Sequence, residues 1–156
     1  LQGSPVFQGE ILGGCIDTLY DIFDTTRHED SVSVCQKYAL FPDLSDWKGK
    51  ILLLESSENQ PNPEKYRKML KALKQSGIFE VLSGVLVGKP MDERYAKEYQ
   101  KILPEVIEDP SLPIVFNLNV GHATPRAIVP FGIMAKVDVS AQRISFSVDT
   151  KVSQLN

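Results

Sequence analysis

The sequence contains few of the residues that build disulfide scaffolds and metal centres. It has only two cysteines, Cys15 and Cys35, and two histidines. Two cysteines are too few for a disulfide framework, and neither has a second cysteine or a histidine at metal-ligand spacing. No apolar run approaches the roughly 18 residues that a transmembrane helix needs, and no signal-peptide pattern opens the chain. We therefore expect a cytoplasmic protein with no membrane segment, and two reduced thiols rather than a bridge.

The chain has no excess of basic charge, with 17 Lys and Arg against 20 Asp and Glu. The net charge of −3 at pH 7 argues against a nucleic-acid partner, since phosphate binding needs a basic face, and we expect none. The composition, 42% hydrophobic and 24% charged, is that of an ordinary globular protein, and 156 residues suit one domain with its own core. We expect a domain over residues 1–150 and a polar tail over 151–156. The first residue is Leu1 rather than Met, which we interpret as a cut from a longer chain.

The order of apolar segments predicts a compact α/β domain. Strands are predicted over 6–14, closing on a Gly13-Gly14 turn, and over 51–54, 81–87, 112–116, about 133–137 and 143–148. Helical spacing predicts a short helix over 15–24. Residues 32–49 give no clear assignment. Because the last two strands follow without a helix between them, we expect a mixed sheet whose final strand is antiparallel.

Two longer helices follow the strand over 51–54. The first has Asn62 as N-cap, Pro63 at the first helical position and Gly77 after its end. Its apolar stripe predicts a core face rather than a cofactor site: Tyr66, Met69, Leu70 and Leu73. The second is predicted over about 92–103 with Asp92 as cap, and Pro104 either begins another turn or kinks it. Its predicted inward residues are Tyr95, Tyr99, Ile102 and Leu103.

Titratable side chains follow two of the buried strands. Glu55 comes directly after Ile51–Leu54, and His122 lies in the loop that follows Leu112–Phe116. If these strands are parallel, both groups emerge at the sheet edge where open α/β folds place ligand sites. A glutamate that accepts a hydrogen bond from a histidine fixes its tautomer and stabilises its charged form, as in nucleophilic triads. The spacing alone leaves open a structural ion pair or no contact.

No nucleophile accompanies this pair. The sequence contains no Gly-x-Ser-x-Gly elbow. Ser56 and Ser57 directly follow Glu55. Cys15 follows two glycines, but nothing basic adjoins it in the sequence to lower the pKa of its thiol. The missing nucleophile and the abrupt N-terminus both indicate part of a larger enzyme.

Several motifs together resemble the C-terminal domain of the LD-carboxypeptidase family of serine peptidases, which includes the microcin C immunity carboxypeptidases. The resemblance extends from about Gly3 to Phe146. The motifs occur in the family's order, and the Gly-His-Ala-Thr-Pro-Arg loop is the most specific of them. They are Gly13-Gly14-Cys15, the segments 50–58, 76–79 and 83–89, and the loop 119–126.

The resemblance implies a Ser-Glu-His triad in which Glu55 and His122 come from this chain and the serine from a missing N-terminal domain. Glu58 is the alternative carboxylate, or it lines the substrate groove. The implied fold is similar to a swivelling β/β/α domain, with the active site in the crevice between two domains. The family also implies a homodimer and no metal or organic cofactor.

The implied substrates are peptides with an L,D bond to a terminal D-amino acid, or peptidyl-nucleotides of the microcin C type. Cys15, the pair Ser56-Ser57 and the 56–63 loop favour the microcin immunity branch. Arg126 is a candidate for binding the substrate carboxylate, or it braces its loop through an ion pair. Two other hypotheses remain: a non-enzymatic module that binds peptide or protein, and a structural domain in which His122 is a hydrogen-bonded loop residue.

Overall fold

The computed structural model describes residues 1–147, and its strands form one six-stranded sheet. The strands are β1 (Val6–Cys15), β2 (Ile51–Glu55), β3 (Gly84–Gly88), β4 (Ile114–Leu118), β5 (Met134–Asp138) and β6 (Arg143–Ser147). Their order across the sheet is β4-β3-β2-β1-β5-β6. The strands β1 to β4 run parallel, β5 is antiparallel to β1, and β6 is antiparallel to β5. The predicted mixed sheet with an antiparallel end is confirmed.

The helices are α1 (Ile16–Tyr20), α2 (Ser31–Lys37), α3 (Leu44–Trp47), α4 (Pro63–Gln75) and α5 (Ala96–Ile107), with 3₁₀ turns at Ile78–Glu80 and Met91–Glu93. Each face of the sheet buries its own core. Residues of α4, α5 and the start of α1 pack on one face against Leu52, Leu54 and Val85. The other face buries Ile51 and Leu53 against β1 and β5. Because β2 and β3 are covered on both sides, they are continuous apolar runs, as parallel central strands are. No helix within residues 1–147 has the length and hydropathy to cross a bilayer.

The helix predicted after Asn62 is confirmed at both ends. The Asn62 side chain accepts a hydrogen bond from the backbone N–H of Lys65 at 2.9 Å, and Pro63 is the first helical residue. The chain leaves the helix through Gly77, whose φ of 80° is left-handed. The four residues of the predicted apolar stripe are all buried: Tyr66, Met69, Leu70 and Leu73.

The start of the next helix was predicted four residues too early. Asp92 is not its cap, since its φ of 55° is left-handed and belongs to the preceding 3₁₀ turn. Tyr95, also left-handed at φ 59°, occupies the N-cap position of α5. Of the two predictions for Pro104, another turn or a kink, the helix does continue through Pro104, and it ends at Ile107. Three of the four predicted inward residues are buried, namely Tyr99, Ile102 and Leu103, while Tyr95 is partly buried.

Gly13 and Gly14 do not form a turn. They lie inside β1, which continues to Cys15 and pairs in parallel with β2. A Cβ on Gly13 would lie 2.1 Å from the Leu53 carbonyl oxygen, so the glycine permits close approach of the two backbones. Gly13 also has a φ of +129°, so its backbone conformation and the close packing both favour glycine at this position.

The remaining differences are shifts of element boundaries. The helix expected over 15–24 is only the short α1, and the unassigned stretch 32–49 contains most of α2 and all of α3. The strand expected over 81–87 begins at Gly84, after a 3₁₀ turn, and the strand expected over 112–116 is β4. Val148 of the last predicted strand and the tail over 151–156 lie outside the described residues.

Candidate active site

The carboxyl ends of three neighbouring parallel strands, β2, β3 and β4, meet at one edge of the sheet. Glu55 is the last residue of β2, and His122 follows β4 after a short turn. Open α/β sheets place their ligand sites at this edge, outside the carboxyl ends of the strands. The topology therefore brings the two predicted site residues to one place.

Glu55 and His122 are in direct contact. The His122 Nδ1 and Glu55 Oε2 atoms are 2.7 Å apart, with the histidine N–H as donor to the carboxylate. The Glu55 side chain is 15% exposed and that of His122 is 35% exposed. A carboxylate on Nδ1 favours the tautomer with its hydrogen on Nδ1, so that the lone pair of a neutral ring lies on Nε2. The contact expected from the sequence is present, while the catalytic role of the pair stays a prediction.

Two glycines make room for the Glu55 side chain. A Cβ on Gly121, whose φ is +86°, would lie 2.3 Å from Glu55 Oε2 and 2.7 Å from Glu55 Cβ. A Cβ on Gly88 would lie 3.2 Å from Glu55 Cβ. Any larger side chain at position 121 would displace the carboxylate from His122. The glycine of the Gly-His pair thus has a steric function that the sequence analysis missed.

Glu58 contacts the other ring nitrogen of the histidine. Its Oε2 lies 3.0 Å from His122 Nε2, and its side chain is 64% exposed. Glu58 was predicted as an alternative to Glu55 or as part of the substrate groove, and both carboxylates contact His122. A turn closed by the Gln60 N–H and the Ser57 carbonyl, 3.1 Å apart, directs Glu58 back toward the end of β2.

Asp17 in α1 fixes the segment that carries Glu58. Its Oδ2 accepts a hydrogen bond from the Ser57 backbone N–H at 3.2 Å. The Ser57 hydroxyl in turn accepts from the Asn59 N–H at 3.2 Å. Ser56 and Ser57 are 6% and 5% exposed, so neither is presented to substrate. The sequence offered no signal for Asp17, since it lies 40 residues from its partner.

Cys15 is next to Glu55 in the sheet, where the two residues are register partners. Burial raises the pKa of the Cys15 thiol, and the negative charges of Asp17 and Glu55 add to the increase. Hydrogen bonds with backbone groups of Thr18 and Asp17 offset part of it. The thiol is protonated at neutral pH, so Cys15 does not qualify as a nucleophile. Both cysteines are free, as expected.

A cavity of about 260 Å³ opens beside His122. Its wall is the segment that follows β3, together with the two residues after His122: Lys89, Pro90, Met91, Asp92, Glu93, Ala123 and Thr124. Lys89 Nζ forms an ion pair with Glu93 Oε1 at 3.3 Å. A larger cavity of about 820 Å³ lies between α1, α2 and α4 and is lined by neither Glu55 nor His122. The smaller cavity is therefore the one positioned to hold a group that reacts at His122.

The structure also bears on Arg126 and on metal binding. Arg126 is exposed and forms no ion pair with any residue in 1–147, so the bracing ion pair is not observed there. Within the described residues, no three His, Cys, Asp or Glu side chains are arranged to hold a metal ion.

The sequence and the fold both match known proteins. A Treponema pallidum protein named as a carboxypeptidase is 28% identical, over 99% of this chain and 41% of its own length. A crystal structure of an MccF-like protein from Streptococcus pneumoniae in complex with AMP is 62% identical, with a TM-score of 0.92 over 94% of this chain and 42% of that one. The muramoyltetrapeptide carboxypeptidase from Oxalobacter formigenes, 22% identical, shares the fold with a TM-score of 0.63 over 94% of this chain and 47% of that one.

This chain spans about two fifths of the length of the first two proteins. The profile of the LD-carboxypeptidase C-terminal domain family matches residues 8–137, which is most of the chain and includes Glu55, Glu58 and His122. With the parallel sheet edge, the glutamate–histidine contact and this match together, the chain belongs to the LD-carboxypeptidase C-terminal domain family.

Proposed function

We propose that this chain supplies Glu55 and His122 to the Ser-Glu-His triad of a serine-type carboxypeptidase. The serine and the amides of the oxyanion hole would come from an N-terminal domain outside this chain, so the chain alone would be inactive. The observation that carries the proposal is the 2.7 Å contact between His122 Nδ1 and Glu55 Oε2. It is the orienting half of a nucleophilic triad, held at the sheet edge where such sites lie.

In the proposed reaction, His122 Nε2 accepts the proton of the serine hydroxyl as the serine oxygen attacks the scissile carbonyl carbon. Glu55 stabilises the imidazolium that forms, without taking its proton. His122 then gives the proton to the leaving amine, and the acyl-enzyme remains. Water attacks the acyl group next, with His122 again as the base, and free serine is restored.

We infer that the substrate is a peptide or a peptidyl-nucleotide. A related protein is named for a muramoyltetrapeptide, and another was crystallised with AMP. L,D-peptides and microcin C-type aminoacyl nucleotides both fit these names. The 260 Å³ cavity beside His122 would hold one end of the substrate. A cytoplasmic homodimer remains our expectation for the whole protein.

The test replaces each triad residue in a protein that joins this chain to the serine-bearing domain. Glu55→Gln and His122→Asn should each lower kcat/KM for an L,D-tetrapeptide by roughly a thousandfold or more. His28→Asn is the matched control, because His28 is the other histidine and is exposed in a loop. Wild-type rates in the Glu55 and His122 variants would refute the triad and favour the binding-module hypothesis.

A further inference from the structure

The cavity beside His122 has an ammonium group in its wall. Apart from His122, the charged residues that line it are Lys89, Asp92 and Glu93, so Lys89 is the only lysine or arginine among the described lining residues. Arg126, the candidate for binding a carboxylate, is exposed and does not line this cavity. The proposed reaction gives Lys89 no role. Its charge is nevertheless placed to attract an anion toward the proposed base.

Lys89 is less exposed than the two acidic residues in the same wall. Its side chain is 23% exposed, that of Glu93 is 68% exposed, and Asp92 is an exposed residue. The Asp92 carboxylate already accepts a hydrogen bond from Gln60 Nε2 at 3.1 Å. Glu93 Oε1 holds Lys89 Nζ at 3.3 Å. Because Glu93 is exposed, water screens this pair, and a substrate anion can share the ammonium or replace the carboxylate.

Lys89 and the loop that carries His122 are anchored to one carbonyl group. The Lys89 N–H donates to the Leu118 carbonyl oxygen at 2.6 Å, and the Val120 N–H donates to the same oxygen at 2.8 Å. Lys89 directly follows β3 and Leu118 ends β4, so both hydrogen bonds lie where two paired strands end. The backbone from which Lys89 extends is therefore fixed by the same strand end that fixes the start of the histidine loop.

A carboxypeptidase substrate brings an anion to this place. The bond that breaks is the last peptide bond, so the leaving nitrogen and the free carboxylate are attached to the same carbon atom. Two carboxylates already lie beside the ring, Glu55 Oε2 at 2.7 Å from Nδ1 and Glu58 Oε2 at 3.0 Å from Nε2. A further anion is repelled by both unless a cation faces it. Lys89 is the cation that the cavity supplies.

The cavity has room for one small group. Its volume of about 260 Å³ is below the roughly 300–1,000 Å³ of pockets that enclose a drug-sized ligand. We propose that it is an anion subsite, in which Lys89 binds the anionic group beside the scissile bond. That group is the terminal carboxylate of a peptide or the phosphate of a nucleotide. The inference rests on the proposed function, and it makes Lys89 the residue that selects substrates with a free anion.

The first measurement compares an L,D-tetrapeptide with its C-terminal amide, in the protein that joins this chain to the serine-bearing domain. The wild type should prefer the free acid. Lys89→Met should lower the acid-to-amide ratio of kcat/KM by roughly tenfold to a hundredfold, because a charge-assisted hydrogen bond is lost. Lys89→Arg keeps the charge and should keep most of the preference.

The matched control is Lys101→Met, which removes the same charge elsewhere. Lys101 is exposed on α5 and does not line the cavity. Its loss should change the acid-to-amide ratio by less than about twofold, since exposed charges at a distance are screened. An equal fall of the ratio in Lys101→Met and Lys89→Met would mean that net charge, and not the subsite, sets the preference.

Calorimetry with AMP and with adenosine tests the phosphate in the same joined protein and requires no turnover. The wild type should bind AMP more tightly than adenosine, and Lys89→Met should bind the two alike. Loss of only one of the two preferences identifies the anion as carboxylate or phosphate. The subsite is refuted if Lys89→Met keeps both preferences, or if the wild type has neither. Wild-type hydrolysis by Glu55→Gln would instead refute the triad, and the AMP comparison would still decide the role of Lys89.

Discussion

At the scale of single residues, the site requires a residue without a Cβ atom beside the Glu55 side chain. Gly121 has a left-handed backbone and lies so close to Glu55 that a Cβ would overlap the carboxylate oxygen. Gly132 is also left-handed, with a φ of +70°, but a Cβ there would meet nothing within 4 Å. Both glycines have a positive φ, but only Gly121 has a neighbouring side chain that a Cβ would overlap. Comparing alanine at the two positions therefore separates the overlap with Glu55 from the backbone strain.

Gly121→Ala should break the contact between Glu55 and His122, while Gly132→Ala should not. Both variants should lose about 1 kcal/mol of unfolding free energy, because alanine is strained at positive φ. Gly121→Ala should lose more, and in the joined protein its rate should fall at least about a hundredfold from misplacement of the carboxylate. Urea unfolding and kcat/KM measure the two effects. Equal behaviour of the two variants would mean that Gly121 does not shape the site.

The residues of the site differ in how far they were predictable. Glu55 and His122 were predictable because each follows a buried apolar strand, and parallel strands bring such positions together. The second contact to His122 was not predicted, because it depends on the direction of a turn after Glu58. Asp17 could not be found at all, since a hydrogen bond across 40 residues leaves no periodic signal in a single sequence.

At the scale of elements, α4 and α5 are joined by two stacked tyrosines. The rings of Tyr66 and Tyr99 have centroids 3.8 Å apart and planes inclined by 12°. The Tyr99 hydroxyl donates a hydrogen bond to the buried carbonyl of Pro61, just before the N-cap of α4. The Tyr66 hydroxyl is buried without a hydrogen-bond partner among residues 1–147, and burial raises the pKa of Tyr66 above its usual range.

Removing the two hydroxyls should therefore have opposite consequences. Tyr99→Phe should lower the unfolding free energy by about 1–3 kcal/mol, because it leaves the buried Pro61 carbonyl unsatisfied. Tyr66→Phe should be neutral or stabilising by up to about 1 kcal/mol, since it removes an unsatisfied buried group and keeps the stack. Both are measured by urea unfolding of this chain. A larger loss in Tyr66→Phe than in Tyr99→Phe would contradict this assignment.

Elements whose ends are set by neighbouring residues were predicted accurately, and elements whose ends depend on distant contacts were not. The helix α4 was predicted correctly because its N-cap, proline and terminal glycine act within one turn of its ends. The start of α5 was wrong because Asp92, Glu93 and Tyr95 have left-handed backbones, which few residues other than glycine adopt and which a helical pattern does not predict. These strained residues lie beside the His122 cavity, where Asp92 and Glu93 form part of the wall.

At the scale of the whole molecule, the four parallel strands deliver the site residues to one edge, and β5 and β6 extend the sheet on the other side of β1. At this edge His122, the Glu55 carboxylate that contacts it and a cavity beside the ring lie together. Because Glu55 is held by glycines of this chain, the contact does not depend on a second domain. We therefore expect the half-site to form in the isolated chain.

Complementation by a second domain measures whether the half-site forms in the isolated chain. Under the proposed division of the triad, the chain and a separately produced serine-bearing domain should each be inactive alone, because each would contain only part of the triad. Mixed together, the two domains should hydrolyse an L,D-tetrapeptide. The rate should saturate with the concentration of this chain, because binding brings the serine of one domain to the histidine of the other. A His122→Asn chain should compete with the wild-type chain for the same domain and lower the rate, because the substitution removes the base but not the binding surface. Hydrolysis by this chain alone, or full complementation by the His122→Asn chain, would contradict the division of the triad between the two domains.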